Sequence, residues 1–122
     1  MHEMGITQGI LTASMEAAEK AHATRINEIR ISVGDMTDVV EDALQFAFEV
    51  LREGTIAEEA TLAVTHVSPK SRCTQCGTEF SHDRWDLLCP SCDAFLCEVV
   101  EGRELRIDSI DIDTDDDIEE QG

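Results

Sequence analysis

The chain has 122 residues, enough for one ordinary domain or for a small domain with a smaller appendage. Its 27 acidic residues against 9 Lys and Arg give a net charge of −18, which disfavours binding to nucleic acids or anionic membranes. No apolar run reaches the roughly 18 residues of a membrane span, and the start of the chain lacks the basic flank of a secretory signal. We therefore expect a cytoplasmic protein.

Two segments have the apolar periodicity of helices. Residues 7–22 place small and apolar side chains on one helical stripe, with charged side chains outward. Residues 39–54 repeat apolar side chains at steps of three and four, with Asp38 as the expected N-cap and Gly54 as the expected C-terminal glycine. The sequence therefore predicts two helices.

Alternating apolar and polar side chains predict three strands, at residues 25–34, 61–67 and 103–113. Between the second and third strands Pro69 ends the regular pattern, and the cysteines follow it. The sequence thus predicts a body that is interrupted by a cysteine-bearing insert. The predicted domains are a body of residues 1–67 with 103–113, an insert of residues 68–102, and a solvated acidic tail of residues 114–122.

The insert carries two Cys-x-x-Cys pairs separated by twelve residues, Cys73 with Cys76 and Cys89 with Cys92. Two residues between thiols let one tight turn aim both sulfurs at one ion, and two such turns form the four-sulfur cage of structural zinc. Four sulfurs leave no open position for a catalytic water. A redox dithiol, an iron–sulfur cluster and rubredoxin-like iron remain the alternatives. The predicted fold is therefore α+β, a small mixed sheet with two helices, interrupted by an inserted zinc-ribbon-like module.

The other residues of the insert predict its local geometry. The polar stretch of residues 81–83 is the expected turn of a hairpin between the two pairs, where a solvated His82 is favoured over a His82 that approaches the ion. Gly77 permits the bend after the first pair, and Asp93 tolerates the same bend after the second. Cys97 falls outside the spacing and alternates with apolar residues, which favours a buried apolar role over a ligand role.

The first three residues form a second candidate metal site. The amine of Met1, the deprotonated amide of His2 and its imidazole can close consecutive chelate rings around one divalent ion. The Glu3 amide or carboxylate, or another side chain, could complete a planar set of donors. Such a set suits nickel(II) or copper(II) better than zinc. A solvated histidine beside a frayed terminus is the alternative.

Four motifs follow one another along the chain: Met1-His2-Glu3-Met4, Gly34 with Glu41-Asp42-Ala43-Leu44-Gln45-Phe46-Ala47-Phe48, the cysteine pairs with Cys89-Pro90, and Glu101-Gly102-Arg103-Glu104-Leu105. In this order they resemble the HypA/HybF family over residues 1–112. Two positions depart from the family pattern. Val40 stands where proline is common, and Asp93 stands where glycine is common.

The resemblance implies a nickel metallochaperone for maturation of [NiFe]-hydrogenase. It would carry Ni(II) at its free N-terminus through His2, with structural Zn(II) on the four paired cysteines. The implied partners are a nickel-handling maturation GTPase and the hydrogenase large subunit, with urease a second client by analogy. The sequence contains neither the Ser, His and Asp arrangement of a catalytic triad nor the glycines of a Walker motif, so no motif indicates an enzyme. The alternative is an acidic zinc-ribbon adaptor in transcription or translation with an incidental His2, and the oligomeric state stays open, a homodimer included.

Overall fold

The structure is a computed structural model that describes residues 2–95 and 97–115. Its elements in chain order are α1 (Glu3–Lys20), β1 (Ala23–Gly34), α2 (Glu41–Leu51), β2 (Thr61–Val67), β3 (Lys70–Cys73), β4 (Glu79–Ser81), β5 (Cys97–Glu101) and β6 (Leu105–Thr114). The strands form two three-stranded sheets, ordered β2-β1-β6 and β4-β3-β5. The predicted α+β class, with two helices and a zinc-ribbon-like cysteine module, is confirmed. No helix in these described ranges is long and apolar enough to cross a membrane.

The chain divides into two compact units. The first, which we call the body, takes its described residues from Met1–Ile31, Val39–Val64 and Ile107–Gly122. The second, the cysteine unit, comprises Ser32–Asp38 and Thr65–Arg106. Of the predicted acidic tail, residues 116–122 lie outside the described residues, and Thr114 is the last residue of β6.

The end of β1 belongs to the cysteine unit because its backbone forms hydrogen bonds with other residues of that unit. The Gly34 N–H donates to the Glu104 carbonyl (2.7 Å), and the Met36 N–H donates to the Gly102 carbonyl (2.7 Å). A Cβ at Gly34 would lie 2.0 Å from the Gly102 oxygen, so this approach of two backbones requires glycine. This pairing joins residues that are far apart in the sequence. The apolar periodicity of the insert therefore gives no sign that residues 32–38 pack with it.

The two helices pack on each other within the body. α1 begins at Glu3, four residues before the predicted start, and ends at Lys20 because His22 adopts a left-handed conformation (φ 58°). Its core face buries Thr7, Ile10, Leu11, Ser14 and Ala18. The core face of α2 buries Leu44, Ala47 and Phe48. The predicted spacing holds in the middle of each helix, whereas Ala21 and Val40, at the ends of the two predicted apolar stripes, are exposed.

The predicted cap of α2 is wrong. The N-cap residue is Val40, and no side chain caps the helix. Asp38 instead forms an ion pair with Arg84, whose guanidinium also donates to the Thr37 carbonyl (3.2 Å). The hydrogen bond and charge of Arg84 lower the pKa of the Asp38 carboxyl. A charged partner far away in sequence has replaced the local cap.

Candidate metal sites

The first cysteine pair sits on a turn that β3 and β4 hold in place. These strands pair antiparallel, with Ser71 opposite Phe80 and Arg72 opposite Glu79. The turn between them is closed by two backbone hydrogen bonds, from the Gly77 N–H to the Cys73 carbonyl and from the Cys73 N–H to the Thr78 carbonyl, each 2.9 Å. Gly77 adopts φ 76°, the conformation for which glycine is suited.

The second cysteine pair repeats the same turn. The Asp93 N–H donates to the Cys89 carbonyl (2.9 Å), and the Cys89 N–H donates to the Ala94 carbonyl (3.0 Å). Asp93 adopts φ 59°, a conformation that Asp tolerates better than most residues. The bends predicted at Gly77 and Asp93 are therefore present, and the two pairs use one backbone design.

The two turns bring the four predicted sulfurs into one cluster. All four Sγ atoms lie within 4.8 Å of one another. The Cys73–Cys92 sulfur distance is 3.5 Å and the Cys76–Cys89 distance is 3.6 Å. A tetrahedral zinc with Zn–S bonds of about 2.3 Å requires sulfurs about 3.8 Å apart, whereas a disulfide requires about 2.05 Å. The donor set and its spacing therefore fit a four-sulfur zinc cage.

The thiols of this cluster do not ionise alike. Hydrogen bonds with the side chain and backbone of Thr78 lower the pKa of Cys76 to about 6. The Ala94 backbone favours the thiolate of Cys92, but the neighbouring sulfurs, together with partial desolvation of its sulfur, raise its pKa to about 12. A cluster of thiolates repels further negative charge, and a dication at its centre removes that repulsion. The sequence motifs did not single out Thr78. A hydroxyl residue two positions after Cys76 is nevertheless a recognisable signal of a hydrogen bond to the cysteine sulfur.

Two further residues of the insert stand outside the sulfur cluster. The half-buried Cys97 lies opposite Cys73 across the β3–β5 pair, and its Sγ approaches the Ala94 carbonyl at 3.7 Å. His82 is not in a solvated turn as predicted, because its Nε2 contacts the buried Ser71 Oγ at 2.7 Å. The backbone N–H of His82 also donates to the Pro69 carbonyl, so hydrogen bonds of this residue connect the end of β4 with the start of β3.

The predicted hairpin turn at residues 81–83 is also wrong. β4 ends at Ser81, and the turn of its hairpin is the first cysteine turn itself. After it, the Asp83 carboxylate accepts hydrogen bonds from the backbone N–H groups of Trp85 and Asp86. The chain therefore reaches the second pair through a local Asp-capped turn rather than through a simple hairpin.

His2 and Glu3 lie at the start of α1, in the body. His2 is exposed, occupies the N-cap position and makes no capping hydrogen bond with its side chain. The first helical hydrogen bond runs from the Ile6 N–H to the His2 carbonyl (3.1 Å). Glu3 is partly buried, and its carbonyl accepts a hydrogen bond from the Thr7 hydroxyl (2.6 Å). The amine of Met1 lies outside the described residues.

Comparison with known proteins identifies the family. Residues 1–112 match the family model described as "Hydrogenase/urease nickel incorporation, metallochaperone, hypA". The chain belongs to the HypA family. The match includes the helix start at Glu3 and both cysteine pairs, so both candidate metal sites fall inside the HypA region.

Individual HypA proteins are similar over nearly the full chain. Hydrogenase maturation factor HypA of Dehalococcoides mccartyi (strain CBDB1) is 37% identical over 113 residues, which cover 93% of this chain and 95% of the relative. HypA of Chlorobium phaeobacteroides is 38% identical over 113 residues, 93% of this chain and 100% of the relative.

Two solved HypA structures share the fold. The solution structure of the Ni metallochaperone HypA from Helicobacter pylori has a TM-score of 0.70 at 22% identity, covering 94% of this chain and 100% of that one. A second solution structure of a HypA protein has a TM-score of 0.71 at 23% identity, covering 92% and 96%. At these identities the likeness supports the α+β architecture alone.

Proposed function

We propose that this chain is a nickel metallochaperone that binds one Ni(II) at its free N-terminus and delivers it for maturation of [NiFe]-hydrogenase. The match of residues 1–112 to the nickel-incorporation family carries the proposal. Urease is a second client within the description of that family. The cargo is Ni(II), and a structural Zn(II) in the cysteine unit is the resident metal. Such a carrier is not an enzyme.

The start of α1 is suited to the chelate that we propose. Planar nickel ligation by this segment needs deprotonated backbone amides, which a helix could not release without losing hydrogen bonds. The ladder of α1 begins with the Ile6 N–H, and the first N–H groups of any helix lie outside its ladder. The amides of His2 and Glu3 therefore ligate nickel at no cost to the helix. The exposed His2 imidazole is available as the next donor.

The proposed zinc is held by the four paired cysteines and cross-links the cysteine unit. Bound zinc supplies structural cross-linking there, because four thiolates complete its coordination. Cys73 and Cys89 are buried, while Cys76 and Cys92 are exposed. Their backbone turns aim the four sulfurs at one point. The cysteine unit therefore contributes rigidity and surface rather than a reaction.

Delivery by ligand exchange needs a site that a partner can reach. His2 is exposed at the end of a helix, so an incoming ligand can displace it in steps. The proposed recipients are a nickel-handling maturation GTPase and the hydrogenase large subunit, in the cytoplasm. The charge of −18 favours protein partners over nucleic acids and membranes.

Nickel titration of zinc-loaded protein with an unblocked Met1 tests this function. We expect one Ni(II) per chain with the d–d absorption band of planar nickel. Nickel must displace protons from the amine, the amides and the imidazole, so uptake should fall as the pH is lowered from 8. Protein that binds zinc but no nickel at pH 8 would contradict the proposal and favour the acidic adaptor.

A further inference from the structure

One side of α2 exposes apolar and acidic residues together. Phe46 is 65% exposed and Val50 is 47% exposed, and the exposed Asp42 and Glu49 lie on the same side. At about 100° per residue, these four positions fall within an arc of about 100° on the helix surface. We call this arc the α2 outer face, and it lies opposite the buried Leu44.

The fold of the body does not account for Phe46. The packing of α2 uses its other side, where Leu44, Ala47 and Phe48 are buried. Phe46 and Val50 are four residues apart, so their side chains adjoin on the helix surface. An exposed aromatic residue beside an exposed Val, with acids around them, has the composition of an interface with an apolar centre and a polar rim.

The acids of the α2 outer face have no basic partner side chain within residues 2–95 and 97–115, where no ion pair to Asp42 or Glu49 is present. Arg52 follows the helix, but its guanidinium donates to the Ala60 carbonyl (2.6 Å) and lies over the Phe48 ring. A complementary surface would therefore supply both an apolar contact and positive charge.

We propose that the α2 outer face docks a basic amphipathic helix of a partner protein. Apolar side chains of that helix cover Phe46 and Val50, and its Lys or Arg side chains pair with Asp42 and Glu49. A second copy of this chain is a poor occupant, because a two-fold interface would place the same acids against each other in a chain of charge −18. The proposal does not depend on nickel binding.

The test uses a designed peptide and the full zinc-loaded chain. The probe is a fluorescein-labelled 18-residue helix of Leu, Lys and Ala with all leucines on one face. A peptide of the same composition with leucines spread around the helix controls for net charge. The variants are Phe46→Ala and Phe95→Ala, the latter removing an aromatic residue that is 80% exposed in the cysteine unit. Circular dichroism verifies that each variant is folded.

We expect the amphipathic peptide to bind at least tenfold more tightly than the control peptide, and Phe46→Ala to remove that difference because aromatic residues dominate interfaces. Phe95→Ala should change the affinity less than twofold. Reversal of charge at Asp42→Lys should weaken binding and its dependence on salt. Equal binding by wild type and Phe46→Ala would overturn the proposal, as would a wild-type dimer that Phe46→Ala converts to monomer in sedimentation.

Discussion

Removal of zinc by a strong chelator should unfold the cysteine unit while most of the body stays folded. Structural zinc contributes about 10–16 kcal/mol of apparent free energy in finger-like peptides. We expect amide hydrogen exchange to lose its protection at β3, β4 and β5. Protection should persist in α1 and α2, and the helical circular dichroism should change little.

The distribution of buried side chains explains this expectation. The fully buried hydrophobic residues of the body include Ile26, Ile29, Ile31, Leu44 and Phe48. Among the described residues of the cysteine unit, the buried hydrophobic side chains are Val33, Cys73 and Cys89. Two of these three are proposed zinc ligands, so the metal site and the core of the unit coincide. Without the metal, the unit retains too little apolar burial to offset its conformational entropy.

Serine variants at two cysteines sharpen the test. Cys76→Ser removes a proposed ligand and should weaken zinc binding by more than the roughly 10–100-fold typical of residues that only support a ligand. Cys97→Ser changes a thiol outside the four-sulfur cluster and should leave one zinc per chain. Native exchange protection in β3–β5 of the zinc-free protein would contradict the account, as would equal loss of zinc in both variants.

His2→Ala should abolish planar nickel binding and leave the zinc content unchanged. The imidazole closes the last nitrogen chelate ring in the proposed site, and alanine offers no donor at that position. The fold should be unaffected, since the His2 side chain makes no capping hydrogen bond. Nickel titration followed by the d–d band measures the loss, and zinc is measured on the same sample.

His22→Ala is the matched control for His2→Ala. His22 is exposed and lies just beyond the opposite end of the same helix. Its replacement should preserve one planar nickel per chain. If both variants bind nickel as the wild type does, or if both lose it, the site at the start of α1 is incorrect.

Local chemistry made much of the fold predictable from the sequence. Apolar spacing in residues 39–54 predicted the buried face of α2 and left Phe46 outside it. The Cys-x-x-Cys spacing predicted two turns, and the structure closes both with the same pair of backbone hydrogen bonds. Gly77 and Asp93 mark the bends because few residue types adopt positive φ. Each of these features is determined within a few residues.

Contacts between distant segments were not predictable in this way. Asp38 has the residue type and position of an N-cap, yet its carboxylate pairs with the guanidinium of Arg84, 46 residues further along the chain. His82 is polar and precedes Asp83, which favours a turn. Its imidazole instead forms a hydrogen bond with the buried Ser71 on the neighbouring strand. Local propensity cannot identify such partners, because they depend on how strands pair.

The free amine of Met1 is the group on which the nickel proposal depends most directly. The decisive measurement compares the chain with a free Met1 amine and the same chain acetylated at its N-terminus, both zinc-loaded, in parallel nickel titrations at pH 8. Acetylation keeps His2 in place and removes only the basic amine from the proposed donor set, so we expect the planar band to disappear and nickel affinity to fall at least 100-fold. Equal affinity and an unchanged band in the acetylated chain would contradict the proposed site.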